Sequence, residues 1–449
     1  MNKKIFIFLY FILYSLFFVF FVPVFEGPDE QFHLEYVNYF SKYHTLPNQY
    51  EGLDHREKYV GQGHQHPLYY IITGSLLYFF DSDQTISSEK FPNKRHVWSG
   101  GAEDKVPVFN HVYNSVLKSP EDKVLFYVLR IFSVFLSLIN IFFIFKIAEL
   151  FFKESSWIFL TTFFVVTLPQ YAFVSSLINN DSLSNLISTI SIFFMFKIFK
   201  DKNKLSNYIL CGLFLGIALL TKKTLFFLIP SYCFVILFMI LKNKEHKSKI
   251  LQYSLILFSI AVLLSSWFFI RNHFLYGDFA ASKMEHDTMQ SLIDKKSIFS
   301  SYFVLNFFPS ITRSFFGVFG WMNCPLPRYV FVIHLSVVIL SIAGLVYYFI
   351  KYKIKNILIL SSAVFILVCL GGIIYFNLTF TQSQGRYMFP VLSLIALLFS
   401  FGIKNLIQFL KVEKYQLHII IGLTAVFLFI DLIGVITLYQ FYYTPTQYL

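Results

Sequence analysis

The chain alternates between long apolar runs and short polar tracts. Apolar runs lie near 5–22, 124–146, 157–177, 183–199, 206–220, 224–241, 250–270, 329–350, 356–376, 387–403 and 417–439. Several reach the roughly 18–25 residues that an α-helix needs to cross a bilayer. The pattern predicts an all-α polytopic membrane protein with about 11 transmembrane helices, their ends uncertain by a few residues. One further run, "PLYYIITGSLLYFF" at 67–80, is short for a span. Counting it as one would reverse the sidedness of every later loop. It is therefore read as a re-entrant or surface-lying helix, tolerated at membrane depth where protein or a wet cavity surrounds it.

Sidedness follows from the tracts between runs. "KIFKDKNK" (197–204), "KNKEHKSK" (242–249), "KYKIKN" (351–356) and "KNLIQFLKVEK" (404–414) are rich in lysine, and basic short loops mark the cytoplasmic side. With the N-terminus inside, all four fall inside. Two large loops, about 23–123 and about 271–328, then fall outside. The expected organisation is a single membrane domain over 1–449, with no separate soluble domain. Its place is the plasma (cytoplasmic) membrane, with the active face outward. The start, "MNKKIFIFLYFILYSLFFVFFVPVFEG", has a basic tip and a long apolar run without an A-x-A cleavage site, and reads as a retained signal anchor.

Composition sharpens this picture. The chain is 56% hydrophobic and only 14% charged, against about 25% charged in soluble domains. The net charge of +12 sits mostly in the lysine tracts, so it is a topology signal and not a nucleic-acid footprint. The bilayer is the expected partner and nucleic acid is not. Four cysteines without a C-x-x-C pair define neither a disulfide framework nor a zinc site.

Candidate chemistry gathers on the outer face. "EGPDEQFHLEYVNYF" (26–40) places Asp29 and Glu30 where the chain leaves the first span. Acids after a proline suit the start of a helix, and the aromatic residues that follow recur at helical spacing, as in a helix lying on the membrane surface. Neighbouring helix residues point about 100° apart, so one carboxylate can face a cavity while the other pairs with the scaffold. Helix capping is the plain alternative. "YVGQGHQHPLYYIITG" (59–74) brings His64 and His66. H-x-H alone is a weak metal signal, and with His33, His44 and His55 nearby no fixed carboxylate spacing supports one. His66 reads better as a hydrogen-bonding residue toward substrate, or as a helix cap.

Further polar residues interrupt apolar runs. Asp181 in "LINNDSLSNL" stands at the outer end of a helix, with a capping turn as the alternative reading. Lys222 and Lys223 in "ALLTKKTLFFLIP" oppose the positive-inside trend. Ionisable residues amid apolar helices are costly and often functional, although lysines also snorkel to the interface. Arg271 in "WFFIRNHFLYGDF" and Arg386 in "TFTQSQGRYMFP" could contact a phosphate or anchor at the interface. Acids to activate a hydroxyl and cations to hold a leaving phosphate, on one face, would make a transferase.

These motifs together resemble the GT-C superfamily of integral-membrane glycosyltransferases. "GPDEQFHLEYV" resembles its acidic motif after the first span, "QHPLYYIITG" its Pro-Leu-Tyr segment, and "LGIALLTKKTLFFLIP" its Gly-rich span ending in Thr-Lys. "RNHFLYGD" and "QGRYMFP" resemble two later signatures. The branch is similar to bacterial relatives of protein O-mannosyltransferases and aminoarabinose transferases, within a subset described only as predicted membrane proteins. The resemblance implies a GT-C-like bundle with juxtamembrane helices in the first outer loop. It also implies a polyprenyl-phosphate-linked sugar donor, an envelope acceptor of unspecified class and transfer with inversion. By the same resemblance Asp29 would be the general base or acceptor anchor, with Glu30 beside it. Asp181 matches the acid of the next outer loop, Lys222 would meet the donor phosphate, and Arg386 is a further phosphate-facing cation. The chain departs from the pattern in having His66-Pro67 in place of a double proline and Lys223 in place of a common glycine. No cofactor is expected, although more distant members of the superfamily use a divalent metal. A transporter or lipid flippase is the rival class. It predicts charges near the bilayer midplane and an internal repeat, and neither is evident here.

Overall fold

The computed structural model describes residues 3–54, 60–80, 85–88, 93, 106–109, 117–353 and 356–444. His55 of the first loop and the last residues of the C-terminal aromatic tract lie outside them. Seventeen α-helices follow one another among the described residues. They are α1 (Lys3–Phe21), α2 (Glu30–Tyr43), α3 (Gln49–Asp54), α4 (Leu68–Phe80), α5 (Pro120–Phe151), α6 (Ser155–Val166), α7 (Pro169–Ser175), α8 (Asp181–Lys200) and α9 (Leu205–Thr221). There follow α10 (Leu228–Lys242), α11 (Lys247–Tyr276), α12 (Ser282–Thr288), α13 (Phe308–Phe316), α14 (Arg328–Tyr352), α15 (Ile357–Asn377), α16 (Leu392–Phe409) and α17 (Gln416–Tyr443). A two-stranded hairpin, β1 (Val318–Phe319) with β2 (Cys324–Pro325), precedes α14.

Nine of the described helical segments are long and apolar enough to cross a membrane, and α6 with α7 forms a tenth candidate, bent by 62°. Pro169 starts α7 at the break, where its missing N–H cannot continue the preceding helix. The eleventh run of the sequence is α9, with 17 residues. The protein is thus an integral membrane protein whose spans follow the apolar runs. The segment at 67–80 forms α4, 13 residues long, packed on α2 and touching α9.

Local chemistry explains several element starts and crossings. Ser119 and Asp122 form a reciprocal capping box at the start of α5, with Pro120 at its first position. On α9, Gly212 and Gly216 face α11. A methyl group at Gly212 would lie 2.4 Å from the Leu257 carbonyl oxygen, and one at Gly216 would lie 3.1 Å from the Ala261 backbone. Small residues four apart let two spanning helices approach at backbone distance. Gly344 and Gly402 do the same where α14 meets α16.

Several element termini gather at one end of the bundle. α8 begins there at Asp181, α9 ends there just before Lys222, and the short helix Gly385–Val391 leads into α16 there. The connection from α1 to α2, carrying Asp29, closes over the same end. The β1–β2 hairpin docks on that connection through Trp321, whose indole N–H donates to the Phe25 carbonyl at 2.9 Å.

Candidate active site

Four charged side chains meet at this end. Arg386 donates from Nη2 to Asp29 Oδ2 at 2.7 Å and from Nη1 to Asp181 Oδ2 at 3.4 Å. Lys222 Nζ donates to the other oxygen of Asp181 at 2.6 Å. Two formal negative charges thus face two positive ones. Their side chains are not equally enclosed: Arg386 and Asp181 are 5% exposed, Lys222 14% and Asp29 31%. The Nε of Arg386 is buried and has no hydrogen-bond partner.

The backbone presents each group deliberately. Asp29 precedes α2 in a left-handed conformation, φ 64°, and its side chain makes no capping hydrogen bond. A positive φ in a residue other than glycine is uncommon and clusters at functional positions. At α8 the capping is done by Asn179, whose Oδ1 accepts from the backbone N–H of Asp181 at 2.9 Å and of Ser182 at 3.3 Å. The Asp181 carboxylate is left for the cations. Lys222 leaves α9 in an extended conformation, φ −162° and ψ 139°, which turns it from the helix axis toward Asp181. Gly385 precedes Arg386 because α13 passes close by: a Cβ there would lie 2.2 Å from Phe315 N and 2.5 Å from the Ile311 carbonyl oxygen.

Glu30, one residue from Asp29, faces the other way. Its carboxylate is fully buried and takes a paired bond from Arg130, Nε at 2.8 Å and Nη2 at 2.7 Å. It also accepts the backbone N–H of Phe25 and of Ile178, each at 3.1 Å. The remaining Arg130 donors reach the carbonyls of Val19, Val22 and Pro23. This pair ties the end of α1, the start of α2, α5 and the loop before Asp181 into one unit. Arg130 was legible as an ionisable residue inside an apolar run, but the sequence reading passed over it.

His66 and Arg271 stand apart from the four. The Nδ1 of His66 donates to the Leu219 carbonyl at 2.5 Å, and its ring lies among Phe226, Phe268 and Phe269. Burial lowers its pKa to about 4, so it is neutral and fastens the first loop to α9 three residues before Lys222. Arg271 donates to the carbonyls of Pro47 at 2.7 Å and Leu46 at 3.2 Å, holding that loop against α11.

A polar network borders the cluster. His33, its pKa lowered to about 3 by burial, donates from Nδ1 to the Tyr70 hydroxyl at 2.8 Å. Tyr70 donates to Gln65 Oε1 at 3.2 Å, and Asn180 Nδ2 donates to the same oxygen at 2.5 Å. The network joins the Gln-His-Pro motif to the residue before Asp181. Of its members the sequence names only His33, among the loop histidines; Gln65, Tyr70 and Asn180 lie within the motifs that carry His66 and Asp181. Lys223 turns away from Lys222 and pairs with Glu285 of α12 at 2.5 Å. Among the described residues no group of three His, Cys, Asp or Glu side chains is placed to hold a metal ion.

Residues 11–395 match the family described as "Predicted membrane protein (DUF2142)", and the chain belongs to that family. No curated protein matches it. Among solved structures it is similar to ArnT from Cupriavidus metallidurans bound to undecaprenyl phosphate, with TM-score 0.54 and 11% identity over 88% of this chain and 59% of that one. It is similar also to the apo state of the same protein, with TM-score 0.53 and 10% identity over 90% of this chain and 60% of that one. The fold is therefore like that of ArnT, and this chain spans about three fifths of ArnT's length.

Proposed function

We propose that the protein is a glycosyltransferase that moves a sugar from a polyprenyl-phosphate donor to an acceptor hydroxyl on the extracytoplasmic face of the plasma membrane. The observation that carries this reading is the incompletely bonded cluster of Arg386, Lys222, Asp181 and Asp29 at one end of an ArnT-like bundle. A buried guanidinium with an unpaired Nε beside an ammonium suits a phosphate, which arginine binds through paired donors. The likeness to an ArnT that holds undecaprenyl phosphate supports a donor of that class.

In this reading the donor's lipid tail lies in the bilayer and its phosphate meets Arg386 and Lys222. Asp29, the most exposed acid of the four, takes the proton of the acceptor hydroxyl. The acceptor oxygen forms its bond to the anomeric carbon as the bond to the phosphate oxygen breaks, and the electron pair leaves with the polyprenyl phosphate. A single in-line displacement inverts the anomeric centre. A positioned base contributes about 10²–10⁴-fold in rate, and cations at the leaving phosphate stabilise the charge that develops there. Asp181 orients Lys222 and Arg386. Glu30 and Arg130 hold the frame, and His66 and Arg271 fasten the first loop.

The test is a reconstituted assay with a panel of radiolabelled polyprenyl-phosphate sugars and envelope acceptors, comparing the wild type with Asp29→Asn at matched folded protein. Transfer by the wild type with an inverted product, lost in the variant, is expected. A product that retains the donor's anomeric configuration, or full transfer by Asp29→Asn, overturns the reading.

A further inference from the structure

The site is occupied by itself. Arg386, the cation best shaped for phosphate, is already engaged by two carboxylates of this chain. The two holds differ. Asp181 is bonded to Lys222 as well as to Arg386 and sits at a helix start whose first N–H groups are capped by Asn179. The side chain of Asp29 has one hydrogen-bond partner among the described residues, the Nη2 of Arg386. It is also the most exposed of the four and lies in a left-handed turn between α1 and α2.

Arg130 shows what a filled guanidinium looks like in this protein. Its Nε–Nη2 edge carries both oxygens of Glu30. The same edge of Arg386 is half filled: Nη2 holds Asp29, and Nε, though buried, holds nothing. Two oxygens of a phosphate seated on that edge would satisfy Nε and contest Nη2 with Asp29. They would also bring negative charge beside the Asp29 carboxylate, and like charges at short range repel.

We propose that Asp29 is a latch on Arg386, and that the phosphate of a polyprenyl-phosphate ligand releases it. This inference rests on the functional reading above and adds an order of events. While latched, the Asp29 oxygen nearest the cluster is held by a guanidinium and is withheld from an acceptor hydroxyl. Phosphate binding takes over Arg386 and turns the carboxylate free, so the base is armed only when the donor is seated. Acceptor that arrives first meets a carboxylate still paired with a guanidinium, and so a weaker base.

The experiment is carboxyl footprinting of the full-length protein in nanodiscs, using carbodiimide and glycine ethyl ester with peptide mass spectrometry. It is run without ligand, with undecaprenyl phosphate and with undecaprenol. Binding of undecaprenyl phosphate is measured on the same preparation. Asp278, held by the backbone N–H groups of Ala280, Ser282 and Lys283, serves as the internal reference. The expected result is a several-fold rise in Asp29 labelling with undecaprenyl phosphate, no rise with undecaprenol and no change at Asp278. Binding with unchanged or reduced Asp29 labelling overturns the latch and leaves the functional reading standing. Absence of binding overturns both.

Discussion

Arg130 and Arg386 are two buried arginines that each meet an acid of the Asp29–Glu30 pair, yet they are built differently. Arg130 spends five donors on five contacts: two on Glu30 and three on the carbonyls of Val19, Val22 and Pro23. Five is the full capacity of a guanidinium. Glu30 in turn accepts four hydrogen bonds, close to the capacity of a carboxylate. Arg386 makes two contacts with acids and leaves Nε unpaired. A saturated buried pair has no valence left for a ligand and acts as a structural clasp. An unsaturated one holds unmet hydrogen-bonding capacity in a low-dielectric setting, where a polar partner is worth most. The completeness of bonding thus distinguishes these two arginines where sequence proximity does not.

Breaking the clasp should have the largest effect. Arg130→Ala leaves Glu30 buried without its counter-charge, a change that costs about 3–5 kcal/mol. A large fall in thermal unfolding temperature or in the yield of monodisperse protein is expected. Arg130→Lys should not rescue it, because an ammonium offers three donors where five are used.

Asp29→Asn sharpens the contrast from the other side. The side chain is part exposed with one hydrogen-bond partner among the described residues, so stability should stay near that of the wild type. Transfer should fall by about 10²–10⁴-fold. Thermal unfolding and the radiolabel assay on the same preparation check both halves.

Gly385→Ala tests how closely Arg386 is placed. The added methyl meets the backbone of α13, and overpacking of this kind costs about 1–3 kcal/mol. A loss of undecaprenyl phosphate binding larger than the loss of stability is expected, because the residue that must move is next to the guanidinium.

A pH dependence of the first loop's anchorage should also appear, small per pH step near neutrality. His66 and His33 have folded-state pKa values lowered to about 4 and about 3 by burial, against about 6.5 when unfolded. The unfolded chain therefore takes up protons first as pH falls. Stability is full above about pH 6.5 and declines as pH drops toward the folded values. Unfolding temperature measured between those limits should fall with pH, and His66→Gln should lessen the slope.

Much of this was legible in the sequence, for identifiable reasons. Apolar runs announce spans because unsatisfied backbone groups cannot enter a bilayer outside a helix or barrel, and the eleven runs correspond to nine long helices, one bent pair and the 17-residue α9. Asp29, Asp181, Lys222 and Arg386 stood out as charges at the ends of apolar runs, and the fold brings them together. What the sequence could not assign was partnership. Asp29 and Glu30 are adjacent and chemically alike, and only packing sends one to Arg386 and the other to Arg130. Arg271 carries the same local signals as Arg386, but α11 places it against the carbonyls of Leu46 and Pro47. The first N–H groups of α8 are taken by the Asn179 side chain, which frees the Asp181 carboxylate for the cations.

We propose Arg386, kept unsaturated, as the residue that binds the phosphate. The most direct test is undecaprenyl phosphate binding by Arg386→Gln in nanodiscs, with thermal unfolding measured alongside. A folded protein that has lost binding is expected, in contrast to the unfolding caused by Arg130→Ala. Wild-type affinity in folded Arg386→Gln would contradict the proposal.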